Sequence, residues 1–277
     1  MDFLRDSVVS HLRRVAEEPV LEGTRFTLER ELGRGGIGVV WAVRDSMLGR
    51  SVALKVVDDA GEALLEEARA AAQLEHPGTV PVYDAGILPD GRAYYAMRLV
   101  QGLRLDEYAQ SAALPEKLRT FLKICDAVAF AHSRGVIHRD LKPHNVMTGT
   151  FGEVFVLDWG IGVAGTPGYM APEQDAGVAG DIFALGVMLR ELLGQDLAKP
   201  VAAIAWRACA ARPEDRYPNV LDLALDVRRF LDRESVSAYR ETIYERLSRF
   251  AQRNSTLLLL IAAYFVTRFA IFFWRGR

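Results

Sequence analysis

The chain has 277 residues, and its 34 Lys and Arg against 36 Asp and Glu leave a formal charge of −2. Half the residues are hydrophobic and a quarter are charged, which excludes a disordered or collagen-like chain and suits one or two globular domains. The charge is unevenly spread: residues 233–277 hold eight Arg against three Glu, a net of +5, which leaves −7 on residues 1–232 and argues against a generally basic nucleic-acid-binding protein.

Residues 1–18 alternate charged and apolar positions without the apolar core of a signal peptide. Phe3, Leu4, Val8, Leu12 and Val15 recur at helical spacing, so a short amphipathic helix is expected within an extension over residues 1–24. From Arg25 the pattern turns to short β-rich runs broken by glycine: Phe26 to Leu32, Gly38 to Val43 and Ser51 to Val57. Glu62 to Leu74 reads as a helix, and Val80 to Val100 returns to strands about the turn Pro89-Asp90-Gly91. Helices then dominate, over Leu118 to Ser133, Asp181 to Leu193, Val201 to Ala211 and Val220 to Asp232. Cys125 and Cys209 each sit in an apolar helical stretch, which excludes a disulfide scaffold and fits a reducing compartment.

The final segment differs. Residues 255–274 are 20 positions, apolar apart from Ser255, Thr256, Thr267 and Arg268. At about 1.5 Å per residue such a helix matches one hydrocarbon thickness, roughly 30 Å. Apolar residues cover every face, so a membrane-spanning helix is preferred to a buried terminal helix or an in-plane one. Arg268 would have to snorkel toward the far headgroups. The preceding segment, 233–254, is basic and juxtamembrane in this reading.

Several ordered motifs carry chemistry. Gly33-Arg34-Gly35-Gly36-Ile37-Gly38-Val39-Val40 places glycines between two strands, where backbone amides could approach phosphate oxygens. A dinucleotide-binding reading would need a helix next, but a β-run follows. Lys55, in Val52-Ala53-Leu54-Lys55, lies within an apolar strand and requires an anionic partner, for which Glu67 on the following helix is the natural choice. His138-Arg139-Asp140-Leu141-Lys142-Pro143-His144-Asn145, Asp158-Trp159-Gly160 and Ala171-Pro172-Glu173 come after them in order.

With these motifs residues 25–232 resemble the protein kinase family, specifically bacterial Ser/Thr kinases of eukaryotic type. Gly165-Thr166-Pro167-Gly168-Tyr169-Met170 and Pro213-Glu214-Asp215-Arg216-Tyr217 strengthen the likeness. The resemblance implies an α+β fold with two lobes, a β-rich one over about 25–100 and a helical one over about 101–232. It implies ATP and Mg2+, with Mn2+ as a substitute, a protein Ser or Thr acceptor, and no nucleic acid. By the same resemblance, Asp140 and Lys142 act on the acceptor and the transferred phosphoryl group, Lys55 held by Glu67 grips the phosphates, and Asn145 and Asp158 bind metal. Nucleotide contacts fall to Leu32, Gly33, Gly35, Gly38, Val40, Ala53, Lys55, Met97, Arg98 and Val100. Glu173 should pair with Arg216, and Asp181 should support the backbone at His138 and Arg139.

Departures from the family pattern matter too. Trp159 stands where Phe is commonest, which keeps a large aromatic anchor. Only ten residues separate Gly160 from Ala171, short for an activation segment, and Thr166 is its only hydroxyl besides Tyr169. Regulation by loop phosphorylation is therefore not expected. Two readings follow: a compact active kinase, which the complete set of catalytic residues favours, or a nucleotide-binding pseudokinase serving as a tethered scaffold. The overall expectation is a kinase at the inner membrane, single-pass, its body in the cytoplasm and no external sensor, with the membrane, a protein substrate and a second copy of itself as partners.

Overall fold

A computed structural model describes residues 18–35, 38–58, 61–159, 165–174, 177–194 and 198–275. The helix expected in residues 1–17 lies outside the described residues.

Strands β1 (Phe26–Arg34), β2 (Val39–Asp45) and β3 (Arg50–Val57) form an antiparallel meander. After helix α1 (Gly61–Ala72), β4 (Val82–Ile87) and β5 (Ala93–Arg98) close a five-stranded sheet in the order β1-β2-β3-β5-β4. Because β5 pairs with β3, β3 is central and its residues from Val52 to Val57 are buried on both faces. Alternation then sorts its side chains. Val52, Leu54 and Val56 join a core with Phe26, Trp41, Val43, Leu88 and Ala96. On the opposite face, Val57 packs with Leu64 and Ala68 of α1 and with Ala93 and Tyr95 of β5. The buried residues of α1 are Leu64, Glu67 and Ala68, a stripe at helical spacing, so Glu67 is carried inward by the same face that seats the helix.

The second lobe begins with β6 (Gly102–Arg104) and α2 (Leu105–Ser111) and continues with α3 (Leu114–Ser133). Strands β7 (Val146–Gly149) and β8 (Val154–Val156) pair with β6 in a three-stranded sheet. Helices α4 (Val178–Leu193), α5 (Lys199–Ala208) and α6 (Val220–Leu231) follow. Phe121, Ile124, Val128, Leu185, Met188, Leu189, Ile204 and Leu223 form the centre of this lobe's core. One link between the lobes is the bridge from Thr79 to Val156, where the Val156 amide donates to the Gly78 carbonyl at 2.9 Å.

Packing continues past α6. Val236 is buried in the large core, and Asp226 of α6, 1% exposed, gathers the chain that follows. Its carboxylate accepts from Ser237 N at 2.8 Å, Ser237 Oγ at 2.6 Å, Ala238 N at 3.1 Å and Tyr217 OH at 2.9 Å. Burial raises its pKa, yet these donors outweigh that and hold it below the usual carboxylate range. At the other end, the Val20 amide donates to Asp90 at 2.9 Å and Leu21 packs on the small lobe's core.

Helix α7 (Ile243–Arg253) starts at a capping box between Thr242 and Glu245, and α8 (Ser255–Arg275) follows it. Among the described residues, no helix is long and apolar enough to cross a membrane. The span expected over 255–274 is thus not recovered as such. A helix does form there, but its side chains are described without a break only over residues 258–269, 12 positions or about 18 Å, and that stretch includes Arg268. Its Leu259, Leu260, Phe265, Val266 and Phe269 are each more than 60% exposed.

Replacing Asp226 by Ala should lower stability by about 3 kcal/mol, because the buried Tyr217 hydroxyl and the part-buried bonds from Ser237 and Ala238 lose one shared acceptor. Urea unfolding monitored by circular dichroism measures this, and a loss below about 1 kcal/mol would show that the latch is not structural.

Candidate active site

The geometry starts at Lys55. The β3 alternation turns it toward α1, and it is 6% exposed, so its ammonium must find anions. It donates to Glu67 Oε1 at 3.0 Å, to Glu67 Oε2 at 3.3 Å and to Asp158 Oδ1 at 3.0 Å. Burial lowers the Lys55 pKa, but the charges of Asp158 and Glu67 more than compensate and raise it. For Glu67 burial wins: despite Lys55, its carboxyl is pushed up to about 7. A further partner, which the sequence reading missed, is Tyr95, whose hydroxyl donates to Glu67 Oε1 at 2.7 Å. Lys55 and Tyr95 are cross-strand partners on β3 and β5, so only the strand register reveals this neighbour.

The second cluster is built on the loop from His138 to Asn145. Arg139 has φ of 70°, and the carboxylate of Asp181, buried on α4, accepts from His138 N and Arg139 N, each at 2.9 Å. His132 of α3 adds a contact of 2.7 Å between its Nε2 and Asp181, also missed from the sequence. Burial lowers the pKa of His138, which in its neutral form donates from Nε2 to Leu157 O at 2.8 Å and accepts at Nδ1 from Asp140 N at 3.3 Å. The loop backbone is thus fixed on both sides of Asp140.

Asp140 itself is saturated. Its Oδ1 accepts from Thr166 N at 2.9 Å and Thr166 Oγ1 at 2.7 Å. Its Oδ2 accepts from Lys142 Nζ at 2.7 Å and Asn145 Nδ2 at 3.2 Å. Lys142 also donates to Thr166 Oγ1 at 2.7 Å, closing a three-residue ring. Partial burial raises the Asp140 pKa, but the bonds from Lys142 and Thr166 and the lysine charge bring it below the ordinary value, so the group is ionised at neutral pH.

Asp158 follows β8 with φ of 57°. The turn rests on Trp159, whose ring is 2% exposed and whose indole N–H donates to Val156 O at 3.0 Å. Its ring centroid lies 4.8 Å from that of His138. Trp159 therefore supplies the aromatic anchor expected of that position and a hydrogen bond that Phe could not make.

Above this floor lie the glycine strands. Register aligns Gly33 with Val40, and Val40 with Lys55. The next row aligns Ala42, Ala53 and Met97. Leu32 falls at an irregularity between Glu31 and Gly33 in β1. Gly35 N donates to Gly38 O at 2.9 Å, closing the loop, of which residues 36–37 lie outside the described residues. A Cβ on Gly38 would stand 2.3 Å from Val56 O, so only glycine fits there. Arg98 and Val100 border the connection between the lobes. The Arg98 guanidinium lies over the Phe155 ring, 4.9 Å from its centroid, and reaches Glu153 at 3.6 Å. Its side chain is therefore engaged within the protein, and its amide donates to Pro81 O at 3.1 Å.

Beyond Thr166, Arg216 is 2% exposed and donates to both oxygens of Glu173, at 2.6 and 2.7 Å. Tyr169 OH donates to Glu191 at 2.5 Å. Residues 160–164 of the connecting segment lie outside the described residues. Among the described residues, no group of three His, Cys, Asp or Glu side chains stands ready to cage a metal ion.

The pattern of a clamped strand lysine, a held loop aspartate and a metal-type Asn/Asp pair agrees with what comparison finds. The model of the protein kinase domain matches residues 26–202. The chain belongs to the protein kinase family. It is 32% identical to serine/threonine-protein kinase PknD of Chlamydia pneumoniae over 290 aligned positions, covering 75% of this chain and 31% of that protein. PknD of Chlamydia trachomatis serovar D is 33% identical, with 75% and 32% covered, so this chain spans about a third of the length of these curated relatives. Among solved structures, the Mycobacterium tuberculosis PknI kinase domain shares the fold at a TM-score of 0.59 and 26% identity, covering 74% of this chain and 96% of that one. These relatives place the chain with bacterial serine/threonine protein kinases.

Glu67 gives a pH signature. The native kinase holds a proton there that the unfolded chain has lost, so stability should fall as pH rises from about 4.5 to about 7, by about 3 kcal/mol relative to Glu67→Gln. Urea unfolding of both proteins across that range is the check. A difference that stays flat with pH contradicts the burial of this carboxyl.

Proposed function

We propose that this kinase transfers the γ-phosphoryl group of ATP to Ser or Thr hydroxyls of protein substrates, works while anchored to a membrane, and needs no phosphorylation of its activation segment. The observation that carries the reading is that Lys55 meets both Glu67 and Asp158 while Asp140 is held by Lys142 and Thr166. Phosphoryl transfer depends mainly on placement and charge neutralisation, and these groups supply both.

The metal donors suit magnesium. Asn145 uses its Nδ2 on Asp140 O at 2.8 Å and Oδ2 at 3.2 Å, which leaves its side-chain oxygen, Oδ1, with no hydrogen bond among the described residues. The Asp158 side chain is 35% exposed and engages Lys55 through one oxygen, leaving the other as a hard donor. Magnesium bound by these two residues would neutralise charge on the phosphates. Lys55 binds the α- and β-phosphates, and Gly33, Gly35 and Gly38, which lack Cβ atoms, let the loop backbone come close over the triphosphate. Asp140 orients the acceptor hydroxyl and takes its proton as the new O–P bond forms and the bond to the ADP leaving group breaks. Its low pKa makes it a positioning base more than a strong one. Lys142 offsets negative charge on the group in transit.

Membrane anchoring is supported by exposed apolar surface on the last two helices. On α7, Ile243, Tyr244, Leu247 and Phe250 are 82%, 86%, 67% and 58% exposed. They share one face, and Arg246 lies beside it in the helical rotation. In α8, Arg268 donates to Tyr264 OH at 2.7 Å, a pairing that eases the burial of its charge. Because ATP is the donor, the kinase body belongs on the cytoplasmic side, and the excess of arginine before α8 agrees with that orientation. Thr166 is engaged by Asp140 and Lys142, so it offers no hydroxyl for an activating phosphate.

Two experiments follow. Magnesium-dependent transfer from radiolabelled ATP should occur with the wild type and fall at least about 100-fold in Asp140→Asn. Tight ATP binding with no transfer would point to the pseudokinase scaffold instead. In flotation with lipid vesicles, the full chain should rise with the vesicles and a chain ending at Arg253 should largely remain below. Equal flotation of the two would remove α8 as the anchor.

A further inference from the structure

Helix α1 must be held against the sheet for Glu67 to meet Lys55, and Lys55 alone is a poor latch for this purpose. Its ammonium is shared with Asp158 at the same 3.0 Å distance, so its grip on Glu67 competes with a second anion across the cleft. The other contact to the same carboxylate has no such competitor. Tyr95 is 2% exposed, its ring packs against Val57, Leu64, Ala68 and Ala93, and its hydroxyl donates to Glu67 Oε1 at 2.7 Å. The ring and the hydroxyl therefore act on the same helix: Leu64 and Ala68 flank Glu67 on its buried face. Lys55 Nζ also lies over the Tyr95 ring, 5.8 Å from its centroid.

We propose that Tyr95 is a positioning residue for phosphoryl transfer, a fixed latch on β5 that keeps Glu67, and with it α1, in the working position. The inference rests on the kinase reading above. When Lys55 turns to the phosphates of bound ATP, the tyrosine bond still orients the Glu67 carboxylate to receive it. It also offers a reason for competence without a phosphorylated segment, since the latch lies wholly within the small lobe. Burial pushes the phenol well above its ordinary pKa, so it stays protonated and able to donate at every working pH.

A double-mutant cycle in the full chain tests this, because Tyr95→Phe keeps the packed ring and removes only the hydroxyl. Steady-state kinetics are measured for wild type, Tyr95→Phe, Glu67→Ala and the double variant. Tyr95→Phe should lower kcat about tenfold with KM for ATP changed less than about twofold, as expected for loss of one hydrogen bond to a buried carboxylate. In the Glu67→Ala background the same change should cost nothing further. An equal loss in both backgrounds, a loss confined to KM, or no loss in the wild-type background overturns the proposal. If the Glu67→Ala proteins turn over too slowly, urea midpoints of the four proteins complete the cycle: coupling between the two sites supports the latch and additivity refutes it. Absence of transfer in the wild type would refute the kinase reading itself, whereas a coupled stability cycle would still stand.

Discussion

The structure depends on one buried charge. Lys55 lies on a central strand whose neighbours are apolar, and an ammonium there is tolerable only with anions around it. Glu67 comes from α1 and Asp158 from the turn after β8, so satisfying one lysine draws a helix of the small lobe and a loop of the large lobe to the same place. Such a cluster is weak evidence of stability, because desolvation offsets much of the attraction. Its value is positional: it fixes where phosphates and metal would meet.

A second frame, built on carboxylates, holds the other half of the site. Asp181 holds the backbone of His138 and Arg139, and Asp140 in turn is held by Thr166, Lys142 and Asn145. Every acceptor position of Asp140 is used, so an incoming hydroxyl has to exchange with a donor already present, and the exchange keeps the charge solvated throughout. A third carboxylate, Asp226, uses the same strategy for architecture, capturing Ser237 and Ala238 so that the chain leading to α7 leaves the body at a defined point. Tyr239 carries this onward, its hydroxyl donating to Glu245 of the α7 cap at 2.8 Å.

Much of this could be read from the sequence, for a physical reason. Groups that act together within one loop, such as Asp140, Lys142 and Asn145, are close in sequence and carry their spacing openly. The buried lysine demanded a carboxylate, and the nearest helix offered Glu67. The Gly33 to Gly38 run and the long amphipathic helices were equally plain. Contacts set by strand register were not: Tyr95 meets Glu67 only because β5 pairs with β3, which no local pattern encodes. His132 and Asp181 are likewise brought together by the packing of α3 on α4. Strands β6 and β8 are three residues long and β7 four, too short to show a period. The extension of the body to Val236 escaped because Asp226 captures backbone amides, which every sequence has.

In the proposed function, interactions within the chain hold the site assembled without an added phosphate. Single-turnover transfer by protein freed of phosphate by phosphatase, and then freed of the phosphatase, tests it most directly. Phosphoryl transfer is expected from the first turnover, with no lag at any protein concentration. A lag that shortens as the protein concentration rises, with phosphate accumulating on the kinase before substrate is turned over, would contradict it.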